Sequence, residues 1–191
     1  GYEVDKMPLD QITHVLYSFI PICGNNQSLN ESNPSGFQIL QQECASKRRH
    51  EITIHDTFAA TQAPHNNFGK LAVAKAAHPG LTILPSIGGW SLSDPFHEMA
   101  STPENRSVFI ASCIAFLKQW PFFDGIDIDW EYPGGGGASA SLGSAADRPN
   151  HLALMRELRQ ALDNLGAQSN RKYLLTSAVG AAPSKIDLVD Y

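Results

Sequence analysis

Three acidic residues alternate with apolar residues near the middle of the chain, in the segment Asp127-Ile128-Asp129-Trp130-Glu131. Successive side chains of a β-strand point to opposite faces, so a strand here would project the three acids from one face, with neighbours about 6.6 Å apart. Their mutual repulsion predicts that at least one pKa is raised and that the cluster holds a proton near neutral pH. A proton held beside an ionised carboxylate is what cleavage of a glycosidic bond requires.

The elements around this segment alternate between strand and helix. Strands are predicted by runs of β-branched and long apolar residues over 13–20, 81–87, 125–131 and 173–179. Helices are predicted over 67–77, after a Thr102 cap with Pro103 in the first turn, and from about Asn150 to a stop at Gly166. This alternation indicates α/β architecture with a parallel sheet.

Two stretches, 21–36 and 133–149, are predicted to be long loops because they are rich in Asn, Ser, Gly or Pro. The second follows the acidic strand directly, and α/β barrels build their sites from loops at the carboxyl ends of the strands. A complete (β/α)₈ barrel needs about 250 residues. Four strands in 191 residues therefore leave two architectures open, a small open sheet or an incomplete barrel.

Composition narrows the class of protein. Hydrophobic residues make up 42% and charged residues 17%, which is typical of a globular domain. The net charge of −5 argues against nucleic acid or an anionic membrane as a partner, and no run approaches the roughly 20 apolar residues of a membrane span. Cys23, Cys44 and Cys113 fit either one disulfide with a free thiol or three free thiols, and their spacing matches no zinc pattern.

Two blocks resemble a known family. Residues 124–131 match the pattern Asp-x-x-Asp-x-Asp-x-Glu, and Ser86, Gly88 and Gly89 match Ser-x-Gly-Gly, followed by Trp90. Both patterns are signatures of the family 18 glycoside hydrolases. The surrounding segments 84–90, 93–96, 122–125 and 130–135 are similar to bacterial chitinases of the chitinase A type, and the similarity runs over essentially the whole chain.

The resemblance implies a (β/α)₈ TIM barrel of which this chain covers about strands 2 to 5. One strand would precede Gly1, and three would follow Tyr191 together with a Met-x-Tyr-Asp block. Residues 1–191 are therefore expected to form one partial catalytic domain. Whether such a piece folds or acts alone stays open, since an open half-barrel exposes two strand edges.

The implied activity is hydrolysis of β-1,4-linked N-acetylglucosamine in chitin, with retention through substrate-assisted catalysis. Glu131 would be the general acid and then the base, and Asp129 would orient the substrate acetamide. Asp127 would lie deeper and share a proton with Asp129. Asp124 precedes the strand and is expected to be structural, bonding backbone amides at the turn.

Aromatic residues near the strand ends are candidates for sugar binding, because sugar rings have apolar faces that stack on aromatic rings. Trp90 is the first candidate, with Phe19 and Tyr132 at the same mouth of the barrel. Trp130 alternates to the helix side and is expected in the core. Gly88 and Gly89 would let the backbone pass close to its neighbours.

The resemblance also favours a Cys23–Cys44 disulfide, which would close a loop of about 20 residues and stabilise by roughly 3 kcal/mol. Cys113 would be a buried thiol. We expect a secreted monomer that binds chitin or chito-oligosaccharides and needs no cofactor. The alternatives are an endo-β-N-acetylglucosaminidase, a chitin-binding lectin or inert fragment, and a Mg²⁺-dependent α/β enzyme, since Mg²⁺ favours carboxylate oxygens.

Overall fold

A computed structural model describes residues 3–190 and contains, within them, one parallel sheet of four strands. The strands are β1 (His14–Ile20), β2 (Thr82–Gly88), β3 (Gly125–Asp129) and β4 (Leu174–Ser177), and they lie side by side in chain order. Each neighbouring pair is parallel. The predicted α/β class with a parallel sheet is confirmed.

Eight helices lie between and after the strands in the described part of the chain. They are α1 (Gln27–Ser32), α2 (Pro34–Cys44), α3 (Thr57–Thr61), α4 (Asn67–Ala77), α5 (Asp94–Met99), α6 (Pro103–Gln119), α7 (Asp147–Ser169) and α8 (Pro183–Ile186). α4 has the predicted bounds. α6 begins as predicted, because the Thr102 hydroxyl accepts the Asn105 amide at 3.2 Å and Pro103 occupies the first turn.

Two predictions of helix and loop bounds are wrong. The predicted loop 21–36 contains α1 and the start of α2, because Asn33 caps α2 by accepting the Gly36 amide at 3.0 Å. α7 begins three residues before Asn150 and continues past Gly166 to end at Asn170, which is left-handed with φ 51°. Gly166 is not the stop; a Cβ there would lie 2.4 Å from the Arg171 carbonyl oxygen.

The acidic strand is two residues shorter than predicted. The ladder between β2 and β3 ends at the pair Gly88 and Asp129. Beyond that pair the chain turns at the end of β2, because Gly88 and Gly89 have φ values of 110° and 94°, a region that favours glycine. A Cβ on Gly88 would lie 2.2 Å from the Asp129 carbonyl oxygen, so these two glycines allow the close approach predicted for them.

The core lies between the sheet and its helices. Ile126 and Ile128 are fully buried on the helix side of β3, and Trp130 is 2% exposed. The Trp130 ring stacks on Phe96 of α5 with centroids 5.3 Å apart and an interplanar angle of 8°. Trp130 therefore belongs to the core, as predicted, and the acids that alternate with these residues face the opposite side of the sheet.

The opposite side of the sheet carries a polar row. Ser18, Ser86, Asp127 and Thr176 pair in one register across all four strands. Ser86 and Asp127, on the two central strands, are 2% and 3% exposed. Ser18 and Thr176, on the edge strands, are exposed. This face is thus buried at its centre and open at both sides.

Candidate active site

The three acids of the central segment meet at the carboxyl end of β3. Asp127 lies within the strand, Asp129 is its last residue, and Glu131 follows two residues later. The charges of Asp127 and Glu131 both raise the pKa of Asp129, so the three carboxylates are near enough to interact. Asp127 and Asp129 share one side of the sheet, as predicted, whereas Glu131 lies beyond the last residue of the strand.

Asp127 is held by hydroxyl groups from both neighbouring strands. The Ser86 hydroxyl donates to its Oδ2 at 2.7 Å, and the Thr176 hydroxyl donates to its Oδ1 at 2.6 Å. These two hydrogen bonds fix the orientation of the carboxylate between β2 and β4. The sequence pattern does not reveal Thr176, because only the strand register places it in β4 opposite Asp127.

Asp129 is the carboxyl whose pKa is most displaced. Its pKa is raised to about 6, first by burial, then by the charge of Glu131, and then by the charge of Asp127. The sequence predicts a raised pKa from mutual repulsion, but burial in the cleft contributes more than either neighbouring charge. Near pH 6 this group can therefore both hold and release a proton.

Glu131 is partly buried and extends beyond the strand. Its backbone amide donates to the Ser93 hydroxyl at 2.8 Å rather than to a neighbouring strand. The pKa of Tyr132 is raised by burial, by the charge of Glu131 and by a hydrogen bond with its carboxylate. Glu131 therefore has a phenol beside it and two carboxylates below it.

Aromatic rings line the mouth of this cleft. Trp90 is 53% exposed, and its ring centroid is 6.5 Å from that of Tyr132 at an interplanar angle of 74°. Phe19, 37% exposed, packs so close to Gly89 that a Cβ there would lie 2.8 Å from its ring. The Lys185 ammonium, which sequence analysis missed, lies 4.5 Å from the Tyr132 ring centroid. An apolar sugar face can stack on such exposed rings.

The glycine-rich loop after Tyr132 is tied to the fold by Asp147, another residue that sequence analysis missed. Its Oδ2 accepts from His97 Nδ1 at 2.8 Å, from the Gly134 amide at 3.0 Å and from the Ser144 amide at 3.1 Å. Burial alone would raise the pKa of Asp147, but these hydrogen bonds outweigh it and hold the pKa below its usual value. The loop is thereby fixed at both its ends.

Asp124 lies outside the cleft, at the amino end of β3. Its Oδ2 accepts from the Ile83 amide at 2.9 Å and from Lys75 Nζ at 2.8 Å, and its Oδ1 accepts from Arg171 at 3.2 Å. These contacts join the starts of β2, β3 and β4. Asp124 thus bonds a backbone amide of the neighbouring strand rather than of its own turn, together with two cations that the sequence does not predict.

The cysteines pair as the resemblance implies. Cys23 and Cys44 form a disulfide, which confirms that prediction, and Cys113 is a buried free thiol. Within residues 3–190, no group of three or more His, Cys, Asp or Glu side chains is arranged to hold a metal ion. No helix in the same range is long and apolar enough to cross a membrane.

Comparison with known proteins agrees with this geometry. The family model described as glycosyl hydrolases family 18 matches residues 1–191. The chain is 48% identical over 206 residues to a chitinase of Autographa californica nuclear polyhedrosis virus, covering 100% of this chain and 37% of that protein. It is 46% identical over 203 residues to chitinase A of Pseudoalteromonas piscicida, covering 100% of this chain and 25% of that protein.

Solved structures give the same result. Chitinase ChiA74 from Bacillus thuringiensis superimposes with a TM-score of 0.83 at 30% identity, over 98% of this chain and 34% of that one. A family 18 N-acetylglucosaminidase from Paenibacillus barengoltzii superimposes with a TM-score of 0.69 at 30% identity, over 95% of this chain and 43% of that one. The chain thus spans less than half the length of each of these relatives. The family resemblance predicted from its sequence motifs is confirmed.

Proposed function

Because the chain belongs to glycosyl hydrolase family 18, we propose that the protein is a chitinase that cleaves β-1,4 bonds between N-acetylglucosamine units with retention. The observation that carries the proposal is the cluster of Asp127, Asp129 and Glu131 at one strand end, where the pKa of Asp129 is raised to about 6. The chitinases that share 46–48% identity over the whole chain support the same substrate.

Glu131 is the general acid in this proposal. Its proton passes to the glycosidic oxygen as the bond from that oxygen to the anomeric carbon breaks, and the leaving sugar departs as an alcohol. Glu131 then removes a proton from the water that attacks the anomeric carbon in the second step. Its place beyond the end of β3, partly exposed to the cleft, supports this role.

Asp129 and Asp127 serve the substrate's own acetamide. The acetamide oxygen forms the new bond to the anomeric carbon, giving an oxazolinium-like intermediate, one of the exceptions to the scheme with a carboxylate nucleophile. Asp129 accepts the acetamide N–H and stabilises the positive charge that develops. Asp127, held by the hydroxyls of Ser86 and Thr176, lies deeper in the cleft and interacts electrostatically with Asp129.

The aromatic residues bind the sugar chain. Trp90, Tyr132 and Phe19 offer rings at the mouth of the cleft, and Trp90 is the most exposed of the three apolar platforms. The substrate is chitin or a chito-oligosaccharide, and we expect a monomer that requires no cofactor. The Cys23–Cys44 disulfide supports secretion, since disulfides persist in oxidising compartments.

Residues 1–191 form part of the catalytic domain in this proposal and correspond to about strands 2 to 5 of a (β/α)₈ barrel. Leu16 supports this, because it is 49% exposed on the edge strand β1, on the side of the sheet that a closed barrel would cover. The exposed Thr176 on β4 supports it in the same way at the other edge. A closed barrel has no sheet edges.

The test is Glu131→Gln in the complete enzyme, assayed on chito-oligosaccharides. We expect kcat to fall about 10²–10⁴-fold, because the amide cannot donate the proton that the leaving sugar needs. Binding of the oligomers should persist, measured by tryptophan fluorescence. Glu104→Gln, at an exposed position on α6, is the matched control and should behave as the wild type. Near-normal turnover of Glu131→Gln would eliminate Glu131 as the acid.

A second candidate is an endo-β-N-acetylglucosaminidase that releases glycans from glycoproteins, because such enzymes share the signature of residues 124–131. A panel of chitin oligomers and high-mannose glycoproteins separates the two activities. A lectin without activity is the third candidate, and the presence of all three carboxylates in one cleft argues against it.

A further inference from the structure

Ser93 is a buried serine at the end of the short turn that carries Trp90, and it is 3% exposed. Its hydroxyl oxygen accepts the backbone amide of Glu131 at 2.8 Å. Its hydroxyl hydrogen faces two carbonyl oxygens, that of Gly89 at 2.9 Å and that of Asp129 at 3.2 Å. One hydroxyl therefore contacts the backbone of both strand ends that build the cleft.

These contacts begin where the sheet ends. The last pair of the β2–β3 ladder is Gly88 and Asp129, and one further backbone bond runs from the Gly89 amide to the Asp129 carbonyl at 2.8 Å. Glu131 lies beyond that bond, so no neighbouring strand holds its amide. The Ser93 hydroxyl takes the place that the next ladder partner would have.

The position of Glu131 relative to the bound sugar depends on this contact. A general acid must lie within hydrogen-bond reach of the oxygen that it protonates. Displacement of a catalytic group by 1 Å can lower the rate about 10²-fold. Trp90 directly follows Gly89, so the same hydroxyl also fixes the distance between the sugar platform and the acid.

We propose that Ser93 is a positioning residue for the proposed glycosidase reaction, holding the Glu131 backbone in register with the Gly89–Trp90 turn. The inference rests on the proposed function of Glu131. Ser93 does not touch the substrate in this scheme; it acts through Glu131. Its loss should therefore weaken proton donation specifically, while the carboxylates and aromatic rings remain present.

Leaving-group dependence separates this role from general destabilisation. A departing sugar is a poor leaving group and needs the proton from Glu131, whereas 4-nitrophenol leaves readily and needs little assistance. The experiment compares Ser93→Ala with the wild type in the complete enzyme, on chitotetraose and on 4-nitrophenyl chitobioside. Both rates are measured at a temperature below the onset of thermal unfolding of the variant.

We expect kcat on chitotetraose to fall about 10-fold to 100-fold. KM should stay within about twofold, because the binding rings are unchanged. On the nitrophenyl substrate kcat/KM, which reports only the steps up to departure of the leaving group, should fall less than about threefold. Ser101→Ala is the matched control, since Ser101 is an exposed serine near the end of α5 whose hydroxyl bonds only the Glu98 carbonyl, and it should match the wild type on both substrates.

Equal losses of kcat/KM on the two substrates, or no loss on either, would overturn the role of Ser93 but leave the proposed function unaffected. A wild type that hydrolyses neither substrate would overturn the proposed function and this inference together. If Ser93→Ala fails to fold, the rates on both substrates are compared with the wild type for Ser93→Cys instead. The thiol fills the position of the hydroxyl but forms only weak hydrogen bonds.

Discussion

The two ends of β3 carry acidic residues in opposite electrostatic settings. At the amino end, Asp124 is paired with Lys75 at 2.8 Å and with Arg171 at 3.2 Å. At the carboxyl end, Asp127, Asp129 and Glu131 form no ion pair with any residue in the range 3–190. Their direct partners are hydroxyl groups, those of Ser86 and Thr176 on Asp127.

The two ends of β3 therefore differ in role: the amino end contributes to stability, and the carboxyl end carries the groups suited to chemistry. Paired charges at the amino end join three strands. Unpaired acids at the carboxyl end repel one another in a buried place, and the pKa of Asp129 rises to about 6, through burial first and its acidic neighbours second. Groups with pKa values displaced in this way are typical of functional sites.

The strongest test of the comparison is Asp129→Asn in the complete enzyme. We expect kcat on chito-oligosaccharides to fall about 10²–10³-fold, because the amide cannot carry the negative charge that stabilises the developing oxazolinium. Steady-state assays measure this. Asp163→Asn, an exposed acid on α7, is the control, and a kcat for Asp129→Asn close to that of the wild type would contradict the assignment.

The same variant should be more stable than the wild type at neutral pH. An unfolded aspartate has a pKa near 3.9, whereas Asp129 in the fold has a pKa of about 6. Between about pH 4 and pH 6 the unfolded state releases this proton first, so wild-type stability falls as pH rises through that window. Solvent in the open cleft screens the charge, so we expect a gain of roughly 1 kcal/mol for Asp129→Asn at pH 7.

Urea unfolding at pH 4 and at pH 7 measures that gain. The difference in unfolding free energy between Asp129→Asn and the wild type should be small at pH 4 and should reach roughly 1 kcal/mol at pH 7. A difference that is the same at both pH values would mean that Asp129 does not titrate in this window.

The opposite pattern is expected at the amino end of β3. Asp124→Ala should lower the free energy of unfolding by about 2 kcal/mol, because it leaves the Ile83 amide without its acceptor and removes the ion pairs with Lys75 and Arg171. Activity per folded molecule should not change. The control is Asp163→Ala, which removes an exposed pair with Arg159 and should cost less than about 0.5 kcal/mol. Lost activity without lost stability in Asp124→Ala would break the comparison.

The smallest effect concerns the hydroxyls on Asp127. Thr176→Val keeps the shape of the side chain but removes the donor to Oδ1, which lies 2.6 Å away. Loss of this hydrogen bond removes about 1 kcal/mol of stabilisation from the position of Asp127 in the cleft, so kcat/KM should fall about fivefold. Steady-state assays on chito-oligosaccharides measure this change. Thr176→Ser keeps the hydroxyl and should restore kcat/KM, and an unchanged kcat/KM in Thr176→Val would count against the contact.

Local patterns were sufficient for several features. The alternation around Asp127, Asp129 and Glu131 predicts their common side because strand geometry has a fixed period. The cap at Thr102 predicts the start of α6 because the hydroxyl and the amide that it accepts are three residues apart. Helices in the segment 21–36 were missed, since its Asn, Ser and Gly residues favour loops unless caps such as Asn33 select a helix.

Sequence alone determined which acids share a side of a strand, which family they resemble and which cysteines that family pairs. Only the tertiary structure decided what those acids contact: Thr176 on Asp127, Ser93 on the Glu131 amide, and Lys75 and Arg171 on Asp124. The reason is physical. A strand's own period fixes where its side chains point, whereas their partners come from other strands and helices, and these meet only through strand register and helix packing.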